Sequence, residues 1–332
     1  MSSANLRDLL ETRQISVYFV AVSAAFVTAF FLPATRGLAV AIEPLLALML
    51  FVTFLQVPMG ELRQAMTNVR FVGALITANF VAIPVLVAIL LPWLPGESLI
   101  RIGFLLVVLT PCIDYVVTFA HLGRADARAL LAATPILLVG QMLLLPLYLQ
   151  LFLGGETSQL VSWEPFIYAF VWLIAVPLVL AAACQAWATR SNVGSKVTEV
   201  LGLLPVPATA AVLAVVVAAV TPELGQALIP VGQVVPLYIA FALLSPVVGW
   251  IVARAWRLPA AQRLAVGFSA ATRNSLVVLP LALAIPGAIP ILPAVIVTQT
   301  LIELVAELVY VKFARRACNN NLLGPKPAGR GE

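Results

Sequence analysis

An aspartate and an arginine stand inside long apolar runs of this 332-residue sequence. Asp114 follows Leu109-Thr110-Pro111-Cys112-Ile113, and Arg273 lies in Ser269-Ala270-Ala271-Thr272-Arg273-Asn274-Ser275. If such runs cross a bilayer, a charge at the centre costs at least ~2.5–3.5 kcal/mol on the most lenient scale, so each needs a partner. Pro111 removes a backbone donor and clashes with the preceding turn, which breaks a helix. Thr110 is expected to cap the second half-helix, with Pro111 at its first position. The later stretch lacks a proline but carries four consecutive polar side chains, Thr272 to Ser275. Backbone groups freed at such breaks must find partners or line a cavity. Asp114 and Arg273 are expected either to form a static pair between two broken helices or to exchange partners with a substrate or proton.

Other residues extend that chemistry. Cys112 beside the first break is either a small hydrophobe or a soft ligand facing the site. Glu303 and Glu307 are four apart, hence on one helix face, with Gln299 beside them. Two carboxylates on one intramembrane face suggest a proton or cation site, Glu303 ahead of Glu307, which reads as closer to the helix end. Gln56, Asn79 and Gln141 either line the site or join helices. Glu43 reads as interfacial and His121 as a helix-end residue. No hydrolase triad, phosphate loop, nucleotide fingerprint or metal-spaced His/Cys cluster is present. The chain is expected to be no enzyme, to need no cofactor and to carry no ATPase of its own.

Composition says where these residues must sit. Hydrophobic residues make up 62% of the chain and charged residues 10%, against about a quarter charged in soluble domains. Its natural surroundings are a lipid bilayer. Runs of roughly 20 apolar residues predict an all-α polytopic protein with ten spans, at 15–32, 38–57, 71–92, 99–120, 129–153, 163–186, 200–220, 227–253, 264–285 and 288–311. With the N-terminus inside, sixteen Lys and Arg fall on cytoplasmic segments and two, Arg36 and Arg101, outside. That asymmetry predicts both termini in the cytoplasm and an even number of spans. It also accounts for the net charge of +5 without nucleic acid. The cytoplasmic ends are 1–14 and 312–332, the latter polar and expected to be disordered.

The spans divide into two sets. Pro84 pairs with Pro246, Thr110 with Thr272, and Glu61-Leu62-x-Gln64-Ala65 with Glu223-Leu224-x-Gln226-Ala227. In every pair the second member follows the first at the same separation along the chain. A constant offset through separate segments predicts duplication, with 15–153 and 163–311 as the halves. Five spans per half is odd, so the halves must have opposite orientations. Inverted repeats are a transporter architecture, with the site at the midplane. Broken, crossing spans 4 and 9 would form it.

Ten spans, an inverted repeat and paired polar breaks resemble the bile acid:sodium symporter superfamily over roughly 15–315. Thr110-Pro111-Cys112, followed by His121-Leu122-Gly123-x-x-Asp126, is similar to the arsenite-permease branch. That resemblance implies a metalloid-transport role for Cys112, and it places Thr272-Arg273-Asn274-Ser275 at the family's second polar break. The glutamate which that branch carries shortly after its asparagine is replaced here by Leu276, Val277 and Val278. The leading expectation is efflux of trivalent arsenic or antimony hydroxide from the cell by proton exchange. Cys112, Thr110, Asn274, Ser275 and Arg273 would bind the cargo, and Asp114, Arg273 and Glu303 would couple it. The alternative is a carrier of a small organic anion, coupled to sodium or protons, with Arg273 on the substrate carboxylate.

Overall fold

The computed structural model describes residues 3–56, 68–113, 115–154, 164, 167–168, 170–283, 285 and 291–319. Asp114, Arg63, the motif at 61–65 and the tail 320–332 therefore lie outside the described residues. No strand occurs among the described residues, only an isolated antiparallel bridge between Pro111 and Arg273. That is the outcome expected where water cannot satisfy the backbone, since a helix closes its own hydrogen bonds.

Helix α1 runs Ser3–Phe31 and a 3-10 segment Pro33–Ala41 leads into α2, Ile42–Leu55. Helix α3, Val69–Thr77, is capped by the Asn68 side chain and passes through a π turn, Ala78–Ala82, into α4, Ile83–Leu90. The widened turn sits just before Pro84, whose ring cannot fit a regular turn. Helices α5, Ser98–Val108, and α6, Tyr115–Leu122, are the halves of an interrupted segment, and α7 follows as Ala127–Leu153. A second π turn, Phe170–Ala175, precedes Pro177 and α8, Val176–Ala188. Then come α9, Asn192–Leu201, and α10, Pro205–Val220, bent by 42° at their junction. Helix α11 is Leu224–Ala255. Helices α12, Ala260–Ala271, and α13, Ser275–Leu283, form a second interrupted pair, and α14 is Ile291–Asn319.

Among the described residues, six helical segments are long and apolar enough to cross a membrane, and the bent α9–α10 pair makes up to seven. The protein is a multi-pass, all-helical membrane protein. Segments expected as spans 4 and 9 are each two short helices, neither of which crosses alone. Several boundaries differ from the sequence reading. Helix α1 starts upstream of 15, and α14 continues to Asn319 through the start of the expected tail. The first polar residues of that expected tail, Lys312, Arg315 and Arg316, are thus helical.

Packing sorts the helices into two groups. Helices α1, α2, α8, α9 and α10 pack mainly on one another, while α3 to α7 pack with α11 to α14. The second group holds both breaks. Close approach there depends on small residues. A Cβ on Gly249 of α11 would meet the Ala270 Cβ of α12 at 2.6 Å and the Val266 carbonyl oxygen at 2.8 Å. Arg273 heads the fully buried side chains by volume, in a core otherwise of aliphatic and aromatic groups.

Candidate functional site

Both breaks are built alike. Helix α5 stops at Val108, and Thr110 Oγ1 donates back to the Leu106 and Val107 carbonyls, 2.9 Å each. Helix α12 stops at Ala271, and Thr272 Oγ1 lies 2.8 Å from the Phe268 carbonyl. Thr110 thus closes the end of the first half-helix, contrary to its expected role as cap of the second. Threonine hydroxyls readily bond carbonyls three or four residues back, and the chain turns extended here before any helix begins. The extended pieces then cross. Cys112 N–H donates to the Thr272 carbonyl at 3.0 Å, and Asn274 N–H donates to the Thr110 carbonyl at 2.8 Å. Thr110 and Thr272, like Cys112 and Asn274, stand at the constant offset found in the sequence.

The same offset recurs around the crossing. Tyr148 OH donates to the Phe80 carbonyl at 2.5 Å, and Tyr310 OH donates to the Ala242 carbonyl. Tyr310 follows Tyr148, and Ala242 follows Phe80, by that separation.

Charge gathers on the second break. Arg273 N–H donates to Glu303 Oε2 at 2.7 Å, and the same carboxylate accepts from Tyr115 OH at 2.6 Å and Gln299 Nε2 at 2.5 Å. The Arg273 guanidinium is surrounded by neutral oxygens. Its Nη2 donates to Asn79 Oδ1 at 2.9 Å, to the Ser269 carbonyl at 2.7 Å and to the Ala270 carbonyl, and its Nη1 reaches the Val108 carbonyl at 3.4 Å. The Phe241 ring covers another side, 5.6 Å away. Asn79 is fixed for this task, because its amide nitrogen donates to the Leu75 carbonyl at 3.1 Å and to Ser269 Oγ at 3.0 Å. That leaves its oxygen to face the guanidinium. The π turn before Pro84 is what brings Asn79 to the crossing.

Glu307 is fully buried and bonded to Thr272 Oγ1. Glu307 does not sit at the helix end: α14 runs on for three more turns to Asn319, which puts Glu307 in the interior. Its Oε2 has no partner among the described residues. Ser275 Oγ meets Thr300 Oγ1 at 2.7 Å, and Asn274 Nδ2 has no described partner. Cys112 is 1% exposed, outside any disulfide, and within electrostatic reach of Arg273.

The structure therefore brings together Thr110, Pro111, Cys112, Thr272, Arg273, Asn274, Ser275 and Glu303. Gln141 is buried with neither amide atom bonded among the described residues, whereas Glu43 and His121 are exposed. Asp126 has a structural part: it caps α7 through Ala129 N–H at 3.1 Å and accepts from Gln262 Nε2 at 3.2 Å. Tyr115, Ser269 and Tyr310 were not singled out by sequence, since an aromatic or serine in an apolar run carries no signal of its own. Their only sequence marks are position: Tyr115 adjoins a break, and Tyr310 repeats Tyr148.

A water-sized void of about 10 Å³ adjoins the cluster, bordered by Tyr238, Phe241, Gln299, Glu303 and Tyr310. A larger cleft of about 510 Å³ opens between α11, α12 and α14, mostly aliphatic, with Trp250, Arg263, Phe268 and Tyr310 in its wall. No group of three or more metal-binding side chains occurs among the described residues.

None of the curated proteins compared with the sequence matches it. The Sodium Bile acid symporter family matches it over residues 43–227, more than half of the chain and including the first break. With its buried polar crossing inside a multi-pass helical bundle, the protein belongs to the sodium bile acid symporter family of membrane transporters.

Proposed function

We propose that this transporter moves a trivalent metalloid hydroxide out of the cell in exchange for protons, through a site where two broken spans cross. The carrying observation is the pair of reciprocal backbone bonds at the crossing, which sets Cys112 beside Arg273 with Glu303 and Glu307 behind. In this reading the chain has ten spans arranged as two inverted five-span repeats, 15–153 and 163–311. The recurrence of the crossing bonds and of the tyrosine–carbonyl bonds at one offset supports it. Loop charges favour both termini inside, and export from the cell puts the carrier in the plasma membrane.

Cys112 is the soft ligand. A sulfur–arsenic bond forms as one arsenic–oxygen bond breaks, and the thiol proton leaves with the hydroxide as water. One thiol holds the cargo weakly enough to release it. Thr110, Asn274 and Ser275 offer hydrogen bonds to the remaining hydroxyls, and the Asn274 amide nitrogen, without a partner among the described residues, fits that part. Proton exchange is assigned to Glu303 and Glu307, with Asp114 as a further carboxylate. Thr272 has one hydroxyl proton and two acceptors within reach, Phe268 O and Glu307, so a proton carried on Glu307 completes both bonds. Expression in an arsenite-sensitive host should protect it, and Cys112→Ser should abolish protection. Unchanged protection in that variant removes the thiol from the mechanism.

The larger cleft favours a second reading, a carrier of an amphipathic organic anion. Arg263, in the wall of that apolar space, would meet the charge of such a substrate. Arg263→Gln should then weaken anion binding while leaving metalloid resistance intact. Equal binding by both forms excludes this reading.

A further inference from the structure

The guanidinium of Arg273 rests on no carboxylate in the described structure. Its described oxygen contacts are three main-chain carbonyls and one amide, all uncharged. The carbonyls of Val108, Ser269 and Ala270 belong to the last turns of α5 and α12, the two helices that stop at the crossing. Such terminal carbonyls have no partner within their helix and carry the negative end of its dipole. Two C-terminal ends therefore face one point, and a positive charge there is favoured. Carriers with broken helices use that arrangement to hold their coupling cation.

The cage also respects the internal offset. Val108 and Ala270 are equivalent positions of the two halves, and so are Asn79 and Phe241, the amide and the ring that close its other sides. The guanidinium thus lies between matched positions, although the side chain comes from only one half.

We infer that Arg273 is a tethered cation: its guanidinium fills an oxygen-lined cation site at the centre of the crossing, and the carrier works without sodium there. The family is named for sodium coupling, and this cage does not fit a bound sodium while the guanidinium stands in it. Nitrogen–oxygen contacts of 2.7 and 2.9 Å leave no room for a second cation among the same oxygens. The inference rests on the two breaks forming the transport site, but it concerns the ion rather than the cargo.

The test needs no knowledge of the substrate. Purified wild-type protein should show the same thermal stability in sodium, potassium and choline chloride, and should bind no radioactive sodium at the crossing. Arg273→Ala empties the cage. That variant should be less stable and should gain stability from millimolar guanidinium, and to a lesser extent from sodium. The sign is diagnostic, because guanidinium otherwise destabilises folded proteins. Arg273→Lys keeps a tethered charge and guards against a misfolded alanine variant; it should stay insensitive to both ions. Sodium binding by wild type that Asn79→Leu removes overturns the inference. So does a folded Arg273→Ala that neither ion stabilises, or an Arg273→Lys that gains sodium binding. Failure of the wild type to protect an arsenite-sensitive host, with these ion results intact, would sink the metalloid reading and leave this one standing.

Discussion

The two breaks share a backbone and differ in what they carry. Each ends a helix on a threonine bonded to the carbonyl four residues back, and each lends one N–H and one C=O to the other. Beyond that frame they part. The residue after the threonine is Pro111 in one and Arg273 in the other. Proline offers no N–H, whereas the Arg273 N–H meets Glu303. At the same offset before Glu303 lies Gln141, buried and unbonded among the described residues. Among the described residues, the first break supplies the sharp turn and the thiol, and the second supplies the charges. The bonds at the crossing recur at one shared offset, and single residues that differ at that offset give the two breaks different chemistry.

Breaking the charged side should cost most. Glu303→Ala leaves Tyr115 OH, Gln299 and the Arg273 N–H without their acceptor, and removes the nearby charge that balances the guanidinium. A loss on the order of 3–5 kcal/mol is expected for breaking a buried charge network. It would be read as a large fall in midpoint in a denaturant titration of micelle-embedded protein. Gln141→Ala, at the equivalent place, should lose little or even gain, because no described bond is broken there. Equal losses at 141 and 303 would erase the asymmetry. Cys112→Ser sharpens the comparison from the other side. It should cost about 1–3 kcal/mol through the buried hydroxyl, less than Glu303→Ala, while metalloid resistance disappears.

Much of this crossing could be read from the amino acids. Arg273, Thr272 to Ser275 and Thr110-Pro111-Cys112 are visible because polar groups and proline are costly in an apolar run. Glu303 was visible for the same reason. The role of Asn79 was not, because a lone asparagine in a span does not show which way it faces; the π turn made by Pro84 decides that. The depth of Glu307 is hidden in the sequence because the apolar run ends near 311 while the helix runs on through Lys312 and Arg315 to Asn319. Long cationic side chains let a helix continue past its apolar stretch. Which oxygens surround Arg273 was illegible, since carbonyls belong to every residue alike and only the fold selects among them.

A smaller effect tests the packing that holds the breaks in register. Gly249→Ala puts a methyl within 2.6 Å of the Ala270 Cβ and 2.8 Å of a backbone oxygen, so α12 must shift. Overpacking of this kind costs about 1–3 kcal/mol. Because Ala270 also supplies a carbonyl to Arg273, the variant should disturb the charged break more than the proline break. Cysteine-labelling rates at 112 and at an introduced Ser275→Cys would show which side moves. Faster labelling at 112 alone would contradict the assignment.

The smallest effect bears on the duplication itself. Tyr148 and Tyr310 donate to the carbonyls of Phe80 and Ala242, one donor–acceptor pair repeated at the shared offset. In each case the acceptor lies in a segment that carries a proline four residues further on, Pro84 or Pro246, which leaves that carbonyl without its i+4 donor. The tyrosine supplies the missing hydrogen bond. Tyr148→Phe and Tyr310→Phe should therefore each cost about 1 kcal/mol, the net worth of one such bond plus part of the penalty for an orphaned carbonyl. Tyr310 also borders the void beside Glu303, so any excess at 310 over 148 measures what the site adds to the shared scaffold. The double variant should cost the sum, because the two bonds share no partner. Restoring the backbone donor provides the check: Pro84→Ala should make Tyr148→Phe nearly neutral, and Pro246→Ala should do so for Tyr310→Phe. A full penalty that survives the alanine would mean that the tyrosines pack rather than replace a bond, and that their recurrence at the offset is not a shared device.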